Sequence, residues 1–222
     1  MLTIHGIPIS VHTRKVIIVA SEKGLEFRNE PVIPFQPPTG WIELSPTGKI
    51  HVLTEGDTVL RDSSAICAYL DRVHPQPAMY PADPVALAHA LFFEEYADTT
   101  VFPDLVRPLF FQKVIRPRLL GQGTDEHEIE RVTRDVLPKV FGFLDREAQR
   151  EFLAADSFSI ADVALMSNLL NFHYLGLQID GRFPRLQQYF RRHSTRASIR
   201  KALADEKNAA RSMLLETTML AA

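Results

Sequence analysis

One stretch of the sequence, residues 45–70, restricts the possible fold more than any other. It opens with the turn-forming tetrapeptide Ser-Pro-Thr-Gly at 45–48, and the apolar residues up to Leu53 alternate as in a short buried strand. The tripeptide Glu-Gly-Asp at 55–57 supplies a turn, and residues 58–60 are β-branched or aliphatic, so a second strand is predicted to return against the first. An apolar helical run closes the stretch. Residues 45–70 therefore predict a β-β-α unit.

Asp62, Ser63 and Ser64 stand at the N-terminus of this predicted helix. Unpaired backbone N–H groups and the positive end of the helix dipole favour an anion at such a place, and the Asp62 carboxylate adds an acceptor beside it. This combination suits a ligand group with both an ammonium and a carboxylate, such as the head of an α-amino acid. The alternative is that these residues only cap the helix, which is their commoner role.

The N-terminal residues predict a β-α-β unit. Leu2–His5 is a short β-type run, residues 13–24 have helical spacing, and residues 25–32 are interpreted as a second strand, parallel to the first. Arg14 and Lys15 are expected to be exposed, because the apolar stripe of the helix lies on other positions.

A proline-rich break at 75–84 is interpreted as a linker between domains. After it no strand pattern recurs, and helical spacing dominates. Asp83 and Pro84 signal the start of a helix, which Pro103 and Pro108 are expected to kink or interrupt.

Further helices are predicted in the second half of the chain. One covers about 125–150, and another begins at Ser159, where Ser-Ile-Ala-Asp has the form of a capping box before a nearly all-apolar run. Two short basic helices are predicted near 183–192 and 195–205, with their charges on a solvated face. The pattern does not place the tail after Lys207.

Composition and charge exclude several classes of function. The 222 residues have a net charge of −2 and a pI near 6.4, which gives no basic face for a nucleic acid. No apolar run approaches the roughly 20 residues of a membrane helix, and the N-terminus lacks a signal-peptide layout, so a cytoplasmic protein without a membrane partner is expected. The one cysteine, Cys67, is interpreted as a small buried hydrophobe, and no metal site is predicted.

Taken together, these units resemble the cytosolic glutathione transferases of the serine type, in a bacterial-like form. The resemblance covers about residues 2–204 and is strongest in 45–66 and in the Phe-Ser-Ile-Ala-Asp run at 158–162. It implies an α/β plus all-α fold in three parts: a thioredoxin-like glutathione-binding domain at 1–78, a linker at 79–84, and an all-helical substrate-pocket domain at 85–222.

The resemblance also implies glutathione as co-substrate and assigns its binding residues. Asp62 and Ser63 look like the pair that holds the γ-glutamyl end. Lys49 lies where the family often has a residue near the glycyl end, and Ile50 where main-chain groups pair with the cysteinyl part. Ser10, at or just before the first helix, occupies the position of the catalytic hydroxyl; by residue type alone it would be an ordinary cap.

The second substrate and the assembly follow from the same resemblance. A homodimer is implied, and Asp98 is placed to reach the glutamyl group of the neighbouring subunit's ligand. The second pocket would take a small hydrophobic electrophile. Its candidate residues are His12, Tyr96, Phe110 and Phe111.

The chain departs from the family at one position. The family carries a cis-proline just before the strand that starts near Val52, and this chain has His51 there. A non-proline cis bond costs about 2.5–4 kcal/mol, so a trans Ile50–His51 bond is predicted, with an altered main-chain grip on glutathione. The His51 imidazole would also favour a nearby thiolate if it were a cation.

The leading hypothesis is therefore a detoxifying enzyme that conjugates glutathione to a hydrophobic electrophile. A glutathione-dependent peroxidase or isomerase on the same scaffold is an alternative, because both use the same activated thiolate. A second alternative is a non-catalytic binding module that keeps the fold, and His51 is the feature that favours it.

Overall fold

A four-stranded mixed sheet forms the N-terminal part of the computed structural model, which describes residues 1–34 and 37–212. Its strands are β1 (Leu2–His5), β2 (Phe27–Glu30), β3 (Val52–Glu55) and β4 (Thr58–Arg61), in the order β2-β1-β3-β4. β1 and β2 are parallel, as predicted, while β3 is antiparallel to both β1 and β4. The β3–β4 hairpin turns at Gly56, whose positive φ of 56° a glycine adopts without strain.

Three helices accompany the sheet: α1 (Val11–Glu22), α2 (Trp41–Leu44) and α3 (Ser63–Val73). α1 and α3 correspond to the predicted helices. The short α2 directly follows a stretch rich in proline and glycine, residues that disfavour a regular helix. Trp41 explains its formation, since its side chain is buried and anchors this single turn against the core.

The second half of the chain is helical. Its α-helices are α4 (Pro84–Tyr96), α5 (Arg107–Phe110), α6 (Glu126–Arg131), α7 (Leu137–Glu147), α8 (Ile160–Leu169), α9 (Asn171–Tyr174), α10 (Pro184–Ser194) and α11 (Ala197–Ser212). Residues 213–222 of the predicted helical domain lie outside the described part of the chain. None of the described helices is both long and apolar enough to cross a membrane.

The prolines of this half do not interrupt it as the sequence predicted. α4 runs directly into a π-helical segment at Ala97–Val106, which contains Pro103, and α5 runs into another at Phe111–Leu119. A third π-helical segment, Val132–Val136, precedes α7. Because a proline lacks the N–H that an α-helix uses, a wider turn accommodates it without ending the helix.

α8 forms the centre of the molecule. All ten of its residues are buried, and it packs against α1 and α4. The predicted capping box is confirmed: the Ser159 N–H donates to Asp162 Oδ2 at 2.9 Å, and Oδ1 of that carboxylate accepts from the Tyr189 hydroxyl at 2.8 Å. These bonds satisfy a carboxylate that would otherwise be buried without partners.

Candidate functional site

Ser10 lies at the N-cap of α1, and its main chain is fixed. Its N–H donates to the Ile7 carbonyl at 3.0 Å, and its own carbonyl accepts from the Arg14 N–H at 2.8 Å. Its hydroxyl makes no capping hydrogen bond to the helix and instead lines a cavity. Ser10 is therefore not an ordinary helix cap in this structure.

Gly6 allows the segment before β3 to approach the start of α1. Its φ is +149°, and a Cβ atom added there would lie 2.5 Å from the main-chain oxygen of Ile50. Such a distance is far inside van der Waals contact, so any side chain would push Ile50 away from the loop that carries Ser10.

Two side chains hold the segment between α2 and β3. The Lys49 carbonyl accepts from Ser45 Oγ at 2.7 Å and from Trp41 Nε1 at 3.2 Å. Gln76–Pro77 is the cis peptide bond of the described residues. The Ile50–His51 bond is therefore trans, as the cost of a non-proline cis bond predicts.

His51 is a buried neutral base. Its burial, followed by the nearby His12, lowers its pKa from 6.5 to about 3. Its Nδ1 is buried and has no hydrogen-bond partner among the described residues. At neutral pH His51 therefore does not supply the cation that the sequence suggested as a stabiliser of a thiolate.

Asp62 caps α3 from a strained backbone. Its φ of +75° is the one positive value at a non-glycine residue in the described chain. Its Oδ1 accepts from the Ser64 N–H at 3.0 Å and the Ala65 N–H at 3.4 Å, while Oδ2 lies 4.0 Å from Lys49 Nζ. The carboxylate thus caps the helix and still offers one oxygen towards solvent, and the adjacent Ser63 is buried.

A cavity of about 490 Å³ lies between the sheet part and the helical part. Six predicted site residues line it: Ser10, His12, Lys49, Ile50, Phe110 and Phe111. Most of its wall is apolar, and the described lining contains no acidic side chain. Asp62 and Ser63 lie outside this lining, and Asp62 is linked to it through Lys49.

Several lining residues were missed by sequence reasoning. They include Ile33, Phe102, Arg107, Ile115, Leu119 and Asn171, whereas His51, which the sequence had placed near the thiolate, also lines the cavity. Phe102 and Arg107 are five positions apart and would lie on different faces of a regular α-helix, so helical spacing gave no signal for this set.

Tyr96 is not in this cavity, which departs from the prediction. Its ring packs against Phe143, with centroids 4.9 Å apart, and stacks on Phe92 at 5.9 Å. It lines a separate cavity of about 560 Å³ with a largely charged wall, which includes Arg131 and Asp135. Tyr96 is the last residue of α4, on a face that is turned away from Ser10, so its position along the chain was misleading.

Lys15 is buried rather than exposed. Its ammonium contacts Asp98 at 2.6 Å, Ser64 Oγ at 2.9 Å and Glu94 at 3.1 Å. Burial alone would lower the Lys15 pKa, but the carboxylates of Asp98 and Glu94 raise it above its ordinary value. The predicted exposure was wrong because these partners lie far along the chain and cannot be inferred from helical spacing.

Asp98 joins this ion cluster to His12. Its Oδ1 lies 3.5 Å from His12 Nδ1, and Oδ2 accepts from Lys15 and from Ser64 Oγ. Burial would raise the Asp98 pKa, but the hydrogen bond from His12 and the charge of Lys15 lower it to about 2. Both carboxylate oxygens of Asp98 are thus already engaged within the chain. An Asp98 contact with a neighbouring subunit's glutathione would therefore compete with His12, Lys15 and Ser64 for these oxygens.

Arg14 is also fully buried, again contrary to the prediction. Its guanidinium forms a two-bond ion pair with Glu206 of α11 and donates to Asn171 Oδ1 at 2.6 Å and to the Ser167 carbonyl at 2.5 Å. A further bond of 3.2 Å reaches the carbonyl of Ile9, the residue before Ser10. Arg14 therefore connects the helical part directly to the Ser10 loop.

Comparison with known proteins identifies the family. Residues 4–78 match the model of the glutathione S-transferase N-terminal domain, and residues 112–206 match that of its C-terminal domain. The chain is 30% identical over 169 residues to glutathione S-transferase 3 of Zea mays, covering 72% of this chain and 73% of that protein. The chain belongs to the glutathione S-transferase family.

Other members of the family cover more of the chain. FtsZ-localized protein A of Caulobacter vibrioides is 26% identical, covering 91% of both chains, and a stringent starvation protein A homolog of Coxiella burnetii is 25% identical, covering 90% of this chain and 91% of that protein. The names of these two transferase-family relatives state no transferase activity.

Solved structures of the glutathione S-transferase family share the fold. The apo structure of glutathione S-transferase III has a TM-score of 0.78 at 28% identity, covering 91% of this chain and 95% of that one. FzlA from C. crescentus has a TM-score of 0.85 at 24% identity, covering 91% and 92%. The predicted fold, a thioredoxin-like unit followed by a helical domain, is thereby confirmed.

Proposed function

We propose that this glutathione S-transferase family member joins the glutathione thiolate to small hydrophobic electrophiles. One observation carries the proposal. Ser10, whose hydroxyl does not cap α1, lies on one wall of the apolar cavity, and the aromatic residues Phe102, Phe110 and Phe111 are among its lining. A thiol held at Ser10 would therefore face a space suited to an apolar reactant.

Glutathione would lie along the sheet side of the cavity. We assign its γ-glutamyl end to Asp62 and Ser63, its cysteinyl main chain to Ile50, and its glycyl end to Lys49. The Asp62 oxygen that does not cap α3 supports the first assignment, since it can accept from the ammonium of the amino-acid head. The Lys49 ammonium supports the assignment of the glycyl end, because that end of glutathione is a carboxylate.

The Ser10 hydroxyl would donate a hydrogen bond to the sulfur. A thiol with a pKa near 8.5 is only about 3% ionised at pH 7, and lowering this value by two units makes it roughly three-quarters thiolate. The required stabilisation, about 2.7 kcal/mol, is within reach of one charge-assisted hydrogen bond. The thiolate becomes less nucleophilic as its pKa falls, so most of the acceleration would come from holding the two reactants together.

Calorimetry with glutathione and a conjugation assay with a chromogenic aryl halide test this proposal. We expect heat of binding at millimolar glutathione or below, and a Ser10→Ala variant should lose conjugation far more than affinity. Ser157→Ala is the control, because Ser157 is an exposed serine remote from the cavity. An equal loss of affinity and rate in Ser10→Ala would remove Ser10 from the catalytic role.

A binding module without catalysis is the second candidate. His51 replaces the family's proline, and its buried Nδ1, beside the proposed cysteinyl site, finds no hydrogen-bond partner in the part of the chain that the structure describes. Two relatives that cover about nine-tenths of the chain are named for FtsZ localisation and for stringent starvation rather than for a transferase reaction. An absence of heat at millimolar glutathione would favour this candidate.

Peroxidase and isomerase activity stay within the proposal as alternatives, because they use the same thiolate. Turnover of a hydroperoxide without conjugation would favour the peroxidase.

We also propose a cytoplasmic homodimer, in which each chain is divided into a glutathione-binding domain at 1–78, a linker at 79–84 and a helical domain at 85–222. Size-exclusion chromatography with light scattering tests the dimer.

A further inference from the structure

His12 occupies an organised position on the cavity wall. Its Nδ1 lies 3.5 Å from Asp98 Oδ1, the edge of Phe102 meets its ring at a centroid distance of 4.8 Å, and the His51 ring lies at 5.0 Å. Its side chain is 19% exposed, so it is packed but still accessible from the cavity. A histidine held in this way has one defined orientation.

The surroundings of Asp98 decide which nitrogen of His12 carries the proton. Because Asp98 is ionised and held by Lys15 at 2.6 Å, its carboxylate favours a proton on His12 Nδ1. Within residues 1–34 and 37–212, no protein group bonds the other nitrogen, Nε2. The distance of 3.5 Å is long, as is common for catalytic hydrogen bonds before a ligand is bound.

Ser10 can stabilise the thiolate, but it does not provide an acceptor for the thiol proton. A serine hydroxyl can donate a hydrogen bond to a thiolate, but it is not basic enough to hold the proton that the thiol loses. The buried His51 has a pKa of about 3, so it cannot hold this proton at neutral pH either. His12 is the accessible, carboxylate-paired imidazole on the cavity wall, and histidine is the side chain that most often acts as a general base.

We infer that His12 is a catalytic residue that accepts the thiol proton of glutathione, while Asp98 is the positioning residue that orients it. The inference rests on the function proposed above. The S–H bond breaks and its electron pair stays on sulfur, while an N–H bond forms at Nε2. The resulting imidazolium lies beside the thiolate, and its proton passes to solvent after the electrophile has reacted.

Other charged groups around His12 set the background for this step. Lys15 and Glu94 lie behind Asp98, and Asp62 and Lys49 lie on the sheet side near His51. Arg107 lines the same cavity from α5. None of these groups is placed to fix the His12 ring through Nδ1 as Asp98 does.

A His12→Gln variant tests the inference through the absorbance of the bound thiolate as a function of pH. We expect about a fivefold smaller thiolate fraction near pH 6.5 with little change in glutathione Kd, since raising a thiol pKa of about 6.5 by one unit lowers the ionised fraction from about a half to about a tenth. The kcat/KM for an aryl halide should fall only about twofold at this pH, because the remaining thiolate is about threefold more nucleophilic. The loss should vanish at higher pH, where the thiol ionises without help; structural damage would lower activity at every pH.

Two further variants make the test robust. His89→Gln, at an exposed position of α4, is the matched control and should titrate as the wild type does. Asp98→Asn should shift the thiolate titration in the same direction by less, since it disturbs only the orientation of His12. If His12→Gln does not fold, as judged by circular dichroism, His12→Asn carries the same comparison.

The possible outcomes separate this inference from the proposed function. If the wild type conjugates glutathione but His12→Gln shows an unchanged thiolate titration, the role of His12 is overturned and the transferase proposal stands. If the wild type neither binds nor conjugates glutathione, both are overturned. A thiolate titration displaced to higher pH in His12→Gln, with affinity retained, supports the inference.

Discussion

The Oγ of Ser167 donates a hydrogen bond of 2.5 Å to the main-chain carbonyl of Val11. Val11 directly follows Ser10, and Arg14 donates to the carbonyl of Ile9, which directly precedes it. Hydrogen bonds therefore hold the peptide carbonyls on both sides of Ser10. One donor, Ser167, belongs to α8, and the other, Arg14, is itself held by the Ser167 carbonyl of α8 and by Glu206 of α11.

Ser167→Ala should weaken this support. The buried Val11 carbonyl would lose its side-chain donor, so we expect a loss of about 1–3 kcal/mol in the free energy of unfolding, measured in urea. Ser194→Ala is the control, because the Ser194 hydroxyl donates to the Phe190 carbonyl within its own helix and so joins no separate elements. If the two variants are equally stable, the Ser167 bond contributes nothing to the fold.

Arg14→Met should be far more damaging. It leaves the Glu206 carboxylate buried without its cation, and the removal of one partner from a buried ion pair typically costs about 3–5 kcal/mol. Arg134→Met removes an exposed arginine that pairs with Glu130 and Asp135, and we expect no measurable change there. Urea denaturation of both variants makes the comparison, and similar midpoints would contradict a stabilising role for the Arg14 pair.

His51 should make stability fall as the pH is lowered. Below about pH 6.5 an unfolded His51 binds a proton, whereas the folded one stays neutral down to a pH of about 3. Unfolding takes up a proton in this window, so stability declines by up to about 1.4 kcal/mol for each pH unit lost. A His51→Gln variant should lack this part of the decline. Parallel urea titrations at pH values across the window measure the difference, and identical slopes would mean that folded His51 titrates normally.

Phe110→Ala should affect the second substrate alone. Removal of a ring from the apolar wall forfeits burial of the electrophile, so we expect KM for an aryl halide to rise about tenfold while kcat and the glutathione Kd change little. Tyr96→Phe should leave this KM unchanged, because Tyr96 lines the other cavity. Steady-state kinetics with both variants decide between the two cavities, and a higher KM in Tyr96→Phe alone would reverse the assignment.

Local sequence patterns were sufficient for most of the fold. The β3–β4 hairpin, the Asp62 cap and the Ser159 capping box depend on residues within a few positions of one another, and each lies where the pattern predicted. The same is true of Ser10, whose place at the start of α1 follows from the change in periodicity. Short-range chemistry therefore predicted both ends of the proposed glutathione site.

Long-range pairing explains what the sequence could not reveal. Arg14 and Lys15 looked like exposed cations because their partners Glu206, Glu94 and Asp98 are 79 or more residues away in the chain. The contact between His12 and Asp98 depends on the same packing of α1 against the helical part. The electrostatic side of the candidate site is thus a product of tertiary structure, which periodicity does not encode.

Residues 13–20 of helix α1 are all buried, and the two charged ones, Arg14 and Lys15, pair with carboxylates of the helical half. A gene fragment that stopped at residue 78 would encode a sheet whose central helix had lost much of its cover and its three carboxylate counter-ions, Glu94, Asp98 and Glu206. The thioredoxin-like part is accordingly a poor module for recombination, and chimeras should retain α1 together with its own α8 and α11.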